Sequence, residues 1–208
     1  MNSSKYIHFG CGMCAPEGWR NFDGSPTVRF ERIPLLGRLY TKNEKRFPAN
    51  VEYGDIVRGL PVPDGSCRAV YCSHVLEHLA LEDFEAALRN TYRMLEDGGV
   101  FRLVVPDLES QAQNYVNNPS DDAAISFVRA TRLGARQRQR GWKAAIFNAF
   151  RNSGHLWMWD CRAMTLKLRE TGFRDIRRAK MGDSADPKFK EVEEERRWNT
   201  SLGIECRR

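Results

Sequence analysis

Residues 68–105 read RAVYCSHVLEHLALEDFEAALRNTYRMLEDGGVFRLVV, and their pattern changes twice. The apolar runs 68–72 and 100–105 are typical of buried strands. Between them, apolar residues recur at three- and four-residue steps from Glu82 to Glu96, which predicts an amphipathic helix, and Gly98-Gly99 supplies a left-handed stop. A strand, a helix and a strand with short connections predict a βαβ unit, and therefore a parallel sheet covered by helices.

Apolar runs on both sides extend this sheet. Tyr6–Phe9 predicts the first strand, β1, and further strands are predicted at 18–23, 51–56, 173–181 and 200–206. A charged helix, 187–198, separates the last two strands, and consecutive strands near the end of a chain without a long return are antiparallel. A further helix is predicted from its cap at Asp160 to its stop at Gly172.

Length and composition limit the class of protein. The chain has 208 residues, with 41% hydrophobic and 29% charged residues, which suits one folded domain rather than a disordered chain. No run approaches the ~18 uninterrupted apolar residues that cross a bilayer, and the first five residues lack the apolar core of a signal peptide. A cytoplasmic location is the expectation.

The six cysteines are too few for a disulfide-stapled scaffold, so we expect them to be reduced. Cys11 and Cys14 form a CxxC pair, which suits a redox pair or half of a zinc site. No second CxxC follows, and Cys11 stands between two glycines, where a small residue suits a tight turn. We therefore interpret the pair as a coincidence.

A glycine turn after β1 indicates a ligand site. Gly10 and Gly12 let the backbone approach a ligand, and Asp23, at the end of the second predicted strand, is placed to take both hydroxyls of a ribose. The string 10–15 even satisfies the dinucleotide pattern GxGxxA. Only 11 positions separate Gly12 from Asp23, however, instead of ~20. A complete crossover helix does not fit, which argues against an NAD site, because the pyrophosphate needs the N-terminus of that helix.

The order and spacing of several motifs resemble those of class I S-adenosylmethionine-dependent methyltransferases, with the methyltransferase type 11 group and its short-crossover bacterial relatives as the nearest. The resemblance covers almost the whole chain. The motifs are Gly54-Asp55-Ile56, Leu60-Pro61, Asp64-Gly65-Ser66, the run 70–79, Leu95-Glu96-Asp97-Gly98-Gly99, Val105-Pro106-Asp107, His155-Leu156-Trp157, Thr171-Gly172-Phe173 and Ser201-Leu202-Gly203-Ile204-Glu205.

The resemblance implies one α/β domain, Rossmann-like, over residues 1–208. Its sheet would be mostly parallel and seven-stranded, with an antiparallel C-terminal strand and helices on both faces, and with the β1–β2 crossover helix shortened or missing. Residues 24–50 would be an insertion or a lid over the site. Residues 108–159 would be a helical cover on the acceptor side.

The resemblance also implies a cofactor, S-adenosylmethionine, and its contacts. The Gly10-Cys11-Gly12 turn would pass under the methionine part, and Asp23 would hold the ribose hydroxyls. Asp55 and Ile56 would bracket the adenine edge. Ser73 and His74 would line the floor near the sulfonium.

The run His74-Val75-Leu76-Glu77-His78 matches H-x-x-E-H, an inverted zinc-protease string. The string opens directly from a strand, whereas a metalloprotease needs it inside a helix, with a third ligand from a later helix. We therefore assign no metal to it. His8 lies inside β1 and is interpreted as a packed core residue.

His155 lies in a polar loop with two tryptophans just before the helix capped by Asp160. Imidazole accepts a proton at neutral pH, so His155 is the candidate general base for the acceptor. The alternative, which stays open, is that Trp157 and Trp159 belong to the core and His155 caps a helix.

Basic residues are concentrated in one segment. From Ala123 to Trp159 the chain has no Asp or Glu and seven basic residues, all between Arg129 and Arg151, although the net charge of the whole chain is only +6. This segment predicts contact with something anionic: a small anionic or carbohydrate acceptor in preference to RNA, although RNA stays possible through Arg129–Arg151. The alternative is a solvated face.

The leading hypothesis is methyl transfer from S-adenosylmethionine to an oxygen or nitrogen. The donor is already activated, so catalysis can rest on alignment, with a base needed only when the acceptor must lose a proton. Two alternatives remain open: a non-catalytic cofactor- or nucleic-acid-binding module with a degenerate pocket, and an NAD(P)-dependent oxidoreductase, which would need the missing crossover helix.

Overall fold

The computed structural model of the protein describes residues 5–33, 45–134 and 154–208. These residues form a single sheet of seven strands in the order β3-β2-β1-β4-β5-β7-β6. The strands are β1 (Tyr6–Phe9), β2 (Arg20–Asp23), β3 (Val51–Tyr53), β4 (Cys67–Ser73), β5 (Leu95–Pro106), β6 (Arg174–Ala179) and β7 (Ser201–Arg207).

The strand directions confirm the predicted fold class, an α/β Rossmann-like domain. Each neighbouring pair among β1 to β5 is parallel. β7 runs antiparallel to both β5 and β6. In a parallel sheet the carboxyl ends of the strands meet at one edge, so the residues that follow β1, β2 and β4 lie together.

The helices that the structure describes lie mostly where the sequence predicts them. Asp160 caps the predicted helix, its Oδ1 accepting from the Ala163 amide at 2.7 Å, and Gly172 ends it with φ +111°. The helices are α1 (Pro26–Glu31), α2 (Leu81–Met94), α3 (Leu108–Val116), α4 (Ala123–Thr131), α5 (Cys161–Thr171) and α6 (Glu195–Trp198), with 3₁₀ turns at Leu76–His78 and Pro187–Glu191.

Several predicted boundaries are wrong, among them the end of the strand predicted at 51–56, which lies at Tyr53. The helix expected at 82–96 ends at Met94, because Leu95 already pairs with Cys67 as the first residue of β5. Gly98, at φ +76°, therefore lies within β5 and does not end the helix. The helix expected at 187–198 is instead a 3₁₀ turn and the four-residue α6, with residues 192–194 between them.

The two faces of the sheet are covered differently. Side chains alternate along β4, so Val70 and Cys72 face α2 and α5, whereas Ala69 and Tyr71 face the opposite side. The first face is a conventional helix-on-sheet core, in which the ring of Phe84 on α2 stacks on Trp159 at a centroid distance of 4.0 Å.

The second face shows the consequence of the short crossover. Between β1 and β2 the described residues 10–19 contain no helix, as predicted. The segment 180–198, which we call the C-terminal strap, takes its place. Phe189 and Val192 of the strap pack with Trp19 and Tyr71 against the sheet.

A buried arginine holds the strap to the sheet. Arg102, on β5, is completely buried and donates from Nε to Glu193 at 2.6 Å and from Nη1 to Asp183 at 3.0 Å. It also donates to Glu205 on β7 at 3.0 Å and lies 4.7 Å from the ring centroid of Trp198. Because a buried cation is tolerated only when paired, this network fixes the strap in one position.

Two segments assigned from sequence lie partly outside the described residues. Within 24–50 the structure contains α1 and the residues that lead into β3, while 34–44 fall outside the description. Within 108–159 it contains α3 and α4, separated at Asn118-Pro119 as expected, while 135–153 fall outside it. None of the described helices has the length and apolar character needed to cross a membrane.

Candidate functional site

The candidate residues converge at the carboxyl edge of the sheet. Phe9 pairs with Phe22 on β2 and with Cys72 on β4. The glycine turn, Asp23 and Ser73 follow these three residues directly, so the parallel register places them side by side.

The turn after β1 requires its glycines. Gly10 has φ +66° and Gly12 has φ +55°, in the left-handed region that favours glycine. A Cβ on Gly10 would lie 2.0 Å from the Val75 Cγ2, well inside the van der Waals contact distance of two carbon atoms. Cys11, between them, is buried in an apolar cluster with Val28, so only its backbone is available to the site.

Asp23 braces this turn. Its Oδ2 accepts from the Gly12 amide at 3.0 Å and its Oδ1 accepts from the Ser25 amide at 2.8 Å. A carboxylate offers about four lone-pair positions, so each oxygen can accept a further bond from a ligand hydroxyl. Asp23 therefore has a structural role that the sequence did not predict, and it retains the capacity for the predicted one.

Asp55 and Ile56 differ in accessibility. Asp55 is half-buried, accepts from the Val57 amide at 3.0 Å and forms an ion pair with Arg58 at 3.5 Å. The side chain of Ile56 is buried in the main core, and its carbonyl accepts from the Asn90 side chain at 2.8 Å. A ligand at this position would therefore contact the Asp55 carboxylate and the local backbone, because the Ile56 side chain is not accessible.

Ser73 and His74 follow β4. Ser73 is buried, and its hydroxyl has no hydrogen-bond partner. His74 has φ +56°, and its ring lies between two acceptors, Glu77 Oε1 at 3.2 Å from Nδ1 and the Arg197 carbonyl at 2.8 Å from Nε2. Burial lowers the pKa of His74, but these hydrogen bonds and the Glu77 charge outweigh it and leave the pKa raised. A doubly protonated imidazolium satisfies both acceptors.

Arg197 is a site residue that the sequence did not predict. This residue lies on α6 in the strap, and its Nη1 donates to the Ser73 carbonyl at 2.9 Å. A Cβ built on Gly12 would lie 3.4 Å from its Nη2, so the guanidinium borders the glycine turn. Burial and then the Arg197 charge lower the pKa of the neighbouring His8 to about 3. The only sequence signal for a role of Arg197 is the pair Arg196-Arg197. A pair of arginines in a charged segment is usually solvated, so this signal was not informative.

His155 lies next to the 3₁₀ turn after His74. The carbonyl of Glu77 accepts from the amides of Leu156 and Trp157 at 2.8 and 3.1 Å, which ties the His155 loop to that turn. The His155 and His78 rings lie 5.1 Å apart, and His155 is buried, with no hydrogen-bond partner for Nδ1. Burial lowers the pKa of His155.

The remaining sequence candidates lie elsewhere. Cys11 and Cys14 are both free thiols, and the Cys14 Sγ lies 3.9 Å from the Glu191 carbonyl. Of the basic segment, the structure describes Arg129 and Arg132, whereas Arg136, Arg138, Arg140, Lys143 and Arg151 fall outside the described residues. A cavity of about 330 Å³ lies at the β6–β7 edge, and its lining includes Arg177, Asp183 and Glu205. It is away from the strand ends described above.

Several solved methyltransferase structures have the same fold as this chain. A SAM-dependent methyltransferase from Archaeoglobus fulgidus matches with 16% identity and a TM-score of 0.50 over 98% of this chain and 85% of that one. A SAM-dependent methyltransferase from Thermotoga maritima, a possible histamine N-methyltransferase, matches with 14% identity and a TM-score of 0.52 over 97% of this chain and 81% of that one. PigF with SAH matches with 18% identity and a TM-score of 0.51 over 98% of this chain but only 50% of its own length. These likenesses show the class I methyltransferase fold.

The family follows from the sequence comparison. A family model described as a methyltransferase domain matches residues 13–177, well over half of the chain, so this protein belongs to the methyltransferase domain family. It is a SAM-dependent methyltransferase of class I, as the resemblance implied. A comparison with curated proteins finds no significant match.

Proposed function

We propose that this protein transfers the methyl group of S-adenosylmethionine to an oxygen or nitrogen of a small anionic or carbohydrate acceptor. The observation that carries the proposal is the convergence of the glycine turn, Asp23, Asp55 and Ser73 at one edge of the sheet, with the His155 loop bonded to the next turn. The first group would form the donor site, and the second lies where the acceptor would enter.

The residues present fit the cofactor. Gly10 and Gly12 keep the turn free of side chains, and Ser73 offers a buried hydroxyl without a partner. Asp23 has spare acceptor capacity for ribose hydroxyls, and Asp55 lies beyond it for the adenine edge. We propose each of these contacts with the cofactor.

Arg197 compensates for the missing crossover helix. In other nucleotide-binding α/β proteins, the N-terminus of that helix supplies positive charge next to the glycine turn. Here the guanidinium borders Gly12 and is held by Ser73 and by Glu194, whose Oε2 accepts from Nε at 2.9 Å. We propose that it holds the carboxylate of the methionine part.

The cofactor supplies a methyl group on a positively charged sulfur. An aligned nucleophile attacks the methyl carbon and displaces the sulfur. The chain must therefore orient the acceptor, exclude water and, for a hydroxyl or a charged amine, remove a proton. His155 is proposed to act there, because burial lowers its pKa and its Nδ1 has no hydrogen-bond partner.

His155→Ala tests this role. A general base contributes about 10²–10⁴-fold, so kcat for transfer of a labelled methyl group should fall by that factor while the Kd for S-adenosylhomocysteine stays unchanged. Leu156→Ala is the matched control, because Leu156 is the exposed neighbour in the same loop. Transfer by His155→Ala at the parental rate would make His155 a structural residue.

The anionic acceptor is supported by the seven basic residues between Arg129 and Arg151. Reversing Arg136, Arg138 and Arg140 to Glu should raise the KM for the acceptor and flatten its salt dependence, with no change in cofactor binding. An acceptor screen with labelled donor identifies the substrate for this measurement, with RNA included as one arm. Unchanged acceptor kinetics across a salt series would leave the segment as a solvated surface.

A further inference from the structure

Three possible metal ligands meet beside the proposed acceptor position. Glu77, His78 and His155 each offer one nitrogen or oxygen, and these three atoms all lie within 4.8 Å of one another. Two of the ligands come from the 3₁₀ turn after His74, and the third comes from the loop that precedes α5. This ligand set differs from the one that the H-x-x-E-H string would supply. Glu77 takes the place of His74, and His155, which is distant in sequence, is the third ligand.

Glu77 lacks a full set of partners. It is completely buried, and His74 satisfies Oε1, but Oε2 is buried without a hydrogen-bond partner. A carboxylate oxygen left unpaired in the interior is costly, and proteins normally meet the cost with a donor or a cation. The Nδ1 of His155 is also buried without a partner, so two of the three residues each have a buried polar atom that makes no hydrogen bond.

His78 is oriented as metal-binding histidines usually are. Its Nδ1 lies 2.9 Å from the Gly154 carbonyl, which can only accept, so Nδ1 carries the proton. The lone pair is therefore on Nε2, which lies 4.0 Å from the Glu77 Oε1. A backbone carbonyl that binds one ring nitrogen and so fixes the other as ligand is the common outer-shell arrangement of metal sites.

We propose that Glu77, His78 and His155 bind one divalent cation of the borderline type, such as Zn²⁺ or Mn²⁺, on the acceptor side of the site. Two imidazole nitrogens and one carboxylate, with a remaining position open, form the ligand set of catalytic zinc sites and of related transition-metal sites. Ligand atoms on a tetrahedral zinc ion lie about 3.3–3.5 Å apart, so binding draws these side chains together by about an ångström.

This inference rests on the proposed methyl transfer, and within it His155 becomes a metal ligand in place of a general base. An acceptor hydroxyl at the open position would lose its proton to solvent more readily, because a bound cation lowers the pKa of an oxygen ligand. The oxygen would then form its bond to the methyl carbon as the carbon–sulfur bond breaks. His155 would act as a ligand in that state and not as a free base.

Metal binding is measured first without reference to activity. The full-length protein is stripped with EDTA and dialysed to equilibrium against Zn²⁺ in one arm and Mn²⁺ in another. The parent should bind one ion per chain in at least one arm, and His155→Gln and Glu77→Gln should bind it at least about 10-fold more weakly. His155→Gln is informative even if Glu77→Gln fails to fold, and circular dichroism checks both variants.

Cys14→Ser is the matched control, because the CxxC pair is the other candidate for zinc. It should bind the ion as the parent does. No ion in either arm, equal affinity in His155→Gln, or loss of the ion in Cys14→Ser would each overturn the inference.

Two further measurements separate this inference from the proposed function. S-adenosylhomocysteine should bind the stripped protein as well as the loaded one, and methyl transfer should fall at least 10-fold on stripping and return with the ion. If the stripped protein transfers methyl groups at the full rate, the metal proposal fails and the methyltransferase stands. If the parent binds no S-adenosylhomocysteine, the proposed function fails whatever dialysis shows.

Discussion

The two faces of the sheet are both buried, but different kinds of structure cover them. On one face, α2 and α5 bury a continuous apolar core that includes Phe84 and Trp159. On the other, where the β1–β2 crossover helix is missing, the C-terminal strap is fixed by the buried Arg102 network and places Arg197 beside the glycine turn. The regular face carries the main core, whereas the irregular face also places Arg197 beside the proposed cofactor site.

The largest effect that would test this difference is the loss of Arg102. Arg102→Met leaves the buried Glu193 without its cation, which should lower the free energy of unfolding by about 3–5 kcal/mol in urea titrations. The same variant should bind S-adenosylhomocysteine more weakly, because the strap carries Arg197.

Two controls accompany this variant. Phe84→Ala on the regular face should cost a similar 3–5 kcal/mol but leave the cofactor affinity of the folded protein unchanged. Arg177→Met, which removes a 40% exposed partner of Asp183 and Glu205, should cost under about 1 kcal/mol. Equal loss of cofactor affinity in Phe84→Ala and Arg102→Met would remove the distinction between the faces.

A smaller effect isolates the cofactor contribution of the strap. Arg197→Met should weaken the binding of S-adenosylhomocysteine by about 2–5 kcal/mol, because the ligand loses a partly buried charged partner. The urea midpoint should change little. Arg196→Met on the same helix is the control, since Arg196 is 72% exposed and pairs only with Glu194 in the described residues. If both variants bind alike in calorimetric titration, Arg197 is a structural residue.

The regular face and the strand order could be predicted from the sequence because periodicity reports which side of an element is buried. Phe84, Leu88 and the caps Asp160 and Gly172 are such local signals. The strap could not be predicted, because its position depends on Arg102, Glu193 and Asp183, which are up to 91 residues apart in sequence and have no periodicity.

The site residues divide in the same way. Gly10, Gly12 and Asp23 could be found because a glycine turn and an acid at a strand end are local signals. The bracing of Gly12 by Asp23 could not be found, and neither could the approach of His155 to Glu77. Both depend on how separate segments meet after folding. His74 and His78 matched a known string, but the left-handed conformation of His74 prevents the helix that the string requires.

The proposed function requires that a glycine turn without its crossover helix bind the cofactor. Calorimetric titration of the parent with S-adenosylhomocysteine and, separately, with NAD tests this most directly. We predict that each chain binds one S-adenosylhomocysteine and no measurable NAD, and that Asp23→Ala weakens S-adenosylhomocysteine binding by about 1.5–3 kcal/mol. Absence of S-adenosylhomocysteine binding, NAD binding of equal strength, or an unchanged Kd in Asp23→Ala would contradict it.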